Sequence, residues 1–107
     1  MSEARSDKGT RLARGVQLLL HQMGYDSLLR IRRRVDVMGI NDKGRIIVVE
    51  VKSGPADFRV DEKWTDYLEF CDEFYFAVDT DFPQTLLPEA QGLIVADNFG
   101  GAILRAS

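Results

Sequence analysis

From Thr10 onward the apolar positions Leu12, Val16, Leu19, Leu20 and Met23 recur at helical spacing, and Gly24 marks a stop. The pattern predicts a helix over Thr10–Met23 behind a polar, flexible lead-in of residues 1–9. The rhythm then shifts to the strand period. Leu28 to Ile40 reads as one bent strand or two successive strands, interrupted by Arg32, Arg33 and Arg34. Ile46 to Val51 is Ile or Val at five of six positions and lies between Gly44 and Gly54-Pro55, as expected of a central strand buried on both faces. The cluster Asn41-Asp42-Lys43-Gly44 predicts a hairpin turn that pairs the Val35 segment antiparallel with the Ile46 strand. Beyond Pro55, Val60, Trp64, Tyr67, Leu68 and Cys71 again keep helical spacing. Strand patterns follow at Glu73–Val78 and Gly92–Ala96. Pro83 and Pro88 bracket a loop or short helical turn, Asn98 to Gly101 forms a turn, and Ala102–Arg105 closes a last hairpin. The predicted order is αβββαβββ, an α/β mixed sheet flanked by helices, with a crossover from the Ile46 strand to the Glu73 strand.

One position in the central strand conflicts with this apolar reading. Side chains alternate along a strand, so Ile46, Val48, Glu50 and Lys52 share a face. A carboxylate and an amine therefore follow two buried positions, and burying either one alone costs several kcal/mol. The pair needs a partner, a metal or an open cleft. Counted outward from the predicted turn, Asp36 lies about as far along its strand as Glu50 does along the other. If the two face the same side, two carboxylates and Lys52 converge; a register shift of one residue separates them.

Composition narrows the chemistry. A chain of 107 residues is expected to form a single domain, able to bury roughly 60–70% of its unfolded surface without disulfides or structural metal. The single cysteine, Cys71, rules out an internal disulfide and any multi-cysteine zinc site, and suits a reducing, cytoplasmic setting. No apolar stretch approaches the length of a membrane span. The net charge of -3 hides an asymmetry. Residues 1–34 carry Arg5, Lys8, Arg11, Arg14, Arg30, Arg32, Arg33 and Arg34 against Glu3, Asp7 and Asp26, so a basic face can exist on an acidic protein.

Asp36, Glu50 and the backbone carbonyl of Val51 would supply hard oxygen ligands for Mg2+ or Mn2+, leaving positions for water. Such an ion acidifies water and offsets charge building on a phosphoryl transition state, with Lys52 placed to orient the water or stabilise that charge. Ser53 either bonds phosphate or ends the strand. Lys63, Arg59 and Asp57, on or before the second helix, either reach the cleft or form solvated ion pairs of small worth. Arg32, Arg33 and Arg34 alternate along a strand and cannot all face one way; Arg34, beside Asp36, is a candidate phosphate contact. Trp64 and Tyr67 read as core ahead of base-stacking platforms, Cys71 as a small buried hydrophobe, and His21 as structural.

Asp36…Glu50-Val51-Lys52 on a hairpin, after one helix and before a crossover helix, resembles the PD-(D/E)xK, restriction-endonuclease-like superfamily. A longer set of residues is similar to the MmcB-type bacterial DNA-repair proteins over roughly residues 10–106. It comprises Arg34-Val35-Asp36-Val37, Val49-Glu50-Val51-Lys52-Ser53, Asp57-Phe58-Arg59, Lys63-Trp64, Tyr67 and Cys71-Asp72-Glu73-Phe74-Tyr75-Phe76-Ala77-Val78. The resemblance implies a DNA-repair protein acting on DNA as a Mg2+-dependent endonuclease, with Asp36 and Glu50 as metal ligands and Lys52 as the catalytic amine. The alternative is a nuclease-fold module that binds DNA or a repair partner without cutting. Many nucleases of the superfamily add an acid from the first helix. The predicted helix has none; Glu3 and Asp7 precede it and Gln17 is the nearest polar candidate, which points to one metal. Cutting both strands takes two sites, so a homodimer is an expected assembly.

Overall fold

The computed structural model describes residues 3–31, 35–55 and 63–107, with the side chains of residues 3–7, Ile31, Val35 and Lys63 outside that description. Along the chain run a helix α1 (Glu3–Gln22) and strands β1 (Asp26–Ile31), β2 (Val35–Ile40), β3 (Ile46–Val51), β4 (Glu73–Val78), β5 (Gly92–Asp97) and β6 (Gly100–Arg105). The strands form a six-stranded sheet in the order β1-β2-β3-β4-β5-β6, so spatial order repeats chain order. β3 and β4 are parallel, as are β4 and β5, and the other neighbours are antiparallel. Leu28 to Ile40 is thus two antiparallel strands. Arg32, Arg33 and Arg34 lie outside the described residues.

Strand alternation splits the core in two. On one face Leu12, Ala13, Val16 and Leu20 of α1 pack onto Val37, Ile47, Val49, Val51, Tyr75, Ala77, Ile94 and Ala96. On the other, Val48, Phe74, Phe76, Val78 and Leu93 gather with Tyr67, Phe82 and Leu87. The central strands β3 and β4 are buried on both faces, which is what their unbroken apolar runs require. The helix comes unusually close to the β5–β6 hairpin at Gly15, where a Cβ would stand 1.9 Å from the Asp97 carbonyl oxygen and 2.5 Å from that of Gly100. No side chain fits there.

Two expectations change. The helix begins at Glu3, ahead of the expected start at Thr10, so Glu3 and Asp7 belong to α1. Its first turns carry no apolar stripe to read, yet Ala4, Arg5 and Lys8 are good helix formers. Lys8 also ties this end to the sheet through an ion pair with Asp79 at 2.6 Å. The second predicted helix falls largely outside the described residues: Pro55 is α-helical, residues 56–62 are not described, and Lys63–Glu69 is a 3₁₀ helix. Residues three apart eclipse in that geometry, so Trp64 and Tyr67 face the sheet while Leu68 is 39% exposed. A short 3₁₀ turn, Gln84–Leu86, fills the Pro83–Pro88 loop.

Candidate active site

The hairpin that carries the acids is set by its turn. Asn41 Oδ1 accepts hydrogen bonds from the backbone N–H groups of Lys43 and Arg45, at 3.0 and 2.9 Å, and Gly44 takes a φ of 78°. That left-handed angle suits glycine and little else. The register that follows places Asp36 directly across from Glu50, with Met38 across from Val48. Directly paired residues of antiparallel strands project from the same face, with Cβ atoms about 4.5–5.5 Å apart. Lys52 lies just past β3, yet its backbone N–H still donates to Ala77 O at 2.9 Å. The strand geometry therefore persists and its side chain shares the face of Glu50. Lys52 Nζ stands 3.8 Å from Glu50 Oε2.

Three charged side chains thus converge inside the protein: Asp36 is 1%, Glu50 0% and Lys52 1% exposed. The 3₁₀ helix covers this face. Tyr67, itself buried, donates its hydroxyl hydrogen to Asp36 Oδ2 at 2.8 Å. Phe76, the β4 neighbour of Glu50, meets Trp64 edge-on at 5.2 Å.

Like charges held directly opposite each other destabilise a sheet, and a cation between them reverses that. Asp36 and Glu50 are hard oxygen donors, the ligand type that Mg2+ and Mn2+ take. Among the described residues no group of three or more His, Cys, Asp or Glu side chains gathers to hold a metal. Val51 ends β3 with its side chain turned into the core beneath α1. Ser53 follows Lys52 and is half-buried. Arg34, Asp57 and Arg59 lie outside the described residues; Lys63 opens the 3₁₀ helix, its side chain outside the description. Gln17, the polar candidate from the first helix, is engaged elsewhere, donating to Ser27 Oγ at 3.3 Å on β1. The residue that sequence reasoning passed over is Tyr67. A buried tyrosine hydroxyl nearly always needs a partner, and a tyrosine on the apolar stripe of a crossover that packs over Asp36 and Glu50 was the available signal.

Fold and site define a small mixed α/β protein, a sheet with helix α1 packed on one face and a buried carboxylate pair with a lysine on the other. The profile of the family described as DNA repair protein MmcB-like matches residues 1–107, and the chain belongs to that family. Membership supports a role in DNA repair. Among solved structures, a protein of unknown function from Silicibacter pomeroyi is similar. It has 45% sequence identity and a TM-score of 0.86, over 94% of this chain and 71% of that one. No curated protein matches significantly. No helix among the described residues is long and apolar enough to cross a membrane.

Proposed function

We propose that the protein is a divalent-metal-dependent DNA endonuclease of the PD-(D/E)xK kind, serving DNA repair in the cytoplasm. The observation that carries this reading is the register of β2 and β3, which sets Asp36 against Glu50 with Lys52 on the same face. Asp36 and Glu50 hold the cation, Mg2+ or Mn2+. The bound ion supplies Lewis acidity toward the scissile phosphate and toward water. Lys52 shares the face of these acids and is the group set to counter the negative charge that builds on the phosphorus oxygens. The apolar surroundings strengthen each of these interactions relative to water.

The test is incubation with supercoiled, branched and single-stranded DNA in Mg2+ or Mn2+, beside Asp36→Ala, Glu50→Ala and Lys52→Ala. The wild type is expected to cut at least one substrate, with Lys52→Ala slower by about 10²–10⁴-fold and both carboxylate variants inactive. Cleavage that survives all three substitutions sinks the proposal. The near-complete burial of the three side chains favours a second reading, a module that binds DNA or a repair partner without cutting. DNA binding indifferent to the three substitutions, with no cleavage of any substrate, would establish it.

A further inference from the structure

The hydrogen bond from the crossover to Asp36 joins the cover of the site to its charge. Tyr67 is held from several sides. Its ring stacks on Phe74 at 6.4 Å and 22°, meets Phe70 edge-on at 5.7 Å, and its backbone carbonyl accepts the N–H groups of Phe70 and Cys71. The hydroxyl therefore sits at a fixed point above β2, 2.8 Å from Asp36 Oδ2. A carboxylate by itself turns broadly about its terminal torsion. A rigid donor on one oxygen sets its plane and so the direction in which the group offers itself to a cation.

We infer that Tyr67 is a positioning residue of the divalent-ion site, orienting Asp36 as a ligand. The inference rests on the metal reading proposed above. Groups that hydrogen-bond a metal ligand from outside tune affinity by 10–100-fold when removed, because they decide whether the ligand waits in its binding orientation or must be fixed at the moment of binding. Tyr67 also makes the ion and the crossover segment cooperate. An ion that locks Asp36 strengthens the anchor of the 3₁₀ helix Lys63–Glu69, and an ordered helix improves the ligand.

Mn2+ binding to the full chain, followed by the paramagnetic resonance signal of the free ion, tests this without relying on activity. Tyr67→Phe keeps the ring and its packing and removes only the hydroxyl. Its affinity is expected to fall by about tenfold or more, and the rise in melting temperature on adding Mn2+ is expected to shrink. Phe70→Leu, which disturbs the same aromatic cluster at a half-exposed position and leaves the hydroxyl, is expected to bind Mn2+ as the wild type does. Equal affinity in Tyr67→Phe and wild type overturns the inference. So does an equal loss in Phe70→Leu, which would assign the effect to packing. A wild type that binds no Mn2+ fails at an earlier step and overturns the metal reading itself, together with what is built on it.

Discussion

At the opposite end of β4 from the site, Glu73 gathers three donors. Tyr75 gives its hydroxyl hydrogen to Oε1 at 2.9 Å, and Tyr25 and the Arg45 Nε group both reach Oε2 at 3.1 Å. This carboxylate joins the loop after α1, the start of β3 and β4 itself. Glu73→Ala leaves two phenols without an acceptor, and both tyrosines are buried. A buried donor stripped of its partner costs about 1–3 kcal/mol, so the pair predicts a loss of about 2–6 kcal/mol. Arg45 is half exposed and returns to water. In a domain of this size that loss lowers the melting temperature by roughly 10–25 °C. The effect is also pH-dependent. Burial pushes the Glu73 carboxyl up, but hydrogen bonds from Arg45, Tyr75 and Tyr25 outweigh it and hold the group below its ordinary 4.5. A depressed carboxyl contributes stability that is present above 4.5 and drains away as pH falls through the folded value. Urea unfolding at neutral pH and at successively lower pH is the assay. The gap between wild type and Glu73→Ala should be widest at neutrality and narrow in acid. A gap under about 1 kcal/mol at pH 7, or one that stays constant into acid, would refute the reasoning.

Two further substitutions probe the fold and the buried charges. Gly15→Ala should destabilise by about 3 kcal/mol in urea unfolding, because its methyl meets backbone oxygens that cannot turn away. The roughly 1 kcal/mol that alanine adds to a helix is too small to offset this, and unchanged stability would mean α1 rides higher over the hairpin. Lys52→Met should cost about 3–5 kcal/mol by leaving Glu50 charged in the interior. Adding Glu50→Gln should recover much of it; a double variant no more stable than the single would speak against coupling between the two groups.

What could be read in advance was whatever depends on short-range pattern. The turn residues Asn41 and Gly44 predict a hairpin and alternation puts Lys52 on the face of Glu50, while the register that sets Asp36 across from Glu50 stays open in the sequence and is fixed by the strand pairing. The aromatic strand at Glu73–Val78 and the last two strands are recognisable for the same reason. The first two turns of α1 are not, since Glu3 to Lys8 offers no apolar period and the ion pair of Lys8 is with a residue far along the chain, Asp79. The end of the crossover, Lys63–Glu69, winds more tightly than its spacing suggests. Its spacing suits an α-helix, but the sheet is met by Trp64 and Tyr67, three residues apart, in a tighter winding. The hydroxyl of Tyr67 on Asp36 depends on that winding and on the tilt of the ring over Phe74, neither of which spacing encodes.

The turn described at Asn41–Gly44 has a consequence for how the site comes into being. Asp36 and Glu50 are only fourteen positions apart, and closing so short a loop is cheap in chain entropy and fast, on the order of microseconds for a hairpin. The opposed acids can meet before β4 exists to support them or Tyr67 arrives to cover them. The repulsion between them then acts on the earliest native-like structure, as a tax on the nucleus itself. A divalent ion captured at that moment would speed folding as well as stabilise its product. Refolding rates with and without Mn2+ would then differ in the folding limb of the chevron, where an ion that joins only the finished protein leaves no trace.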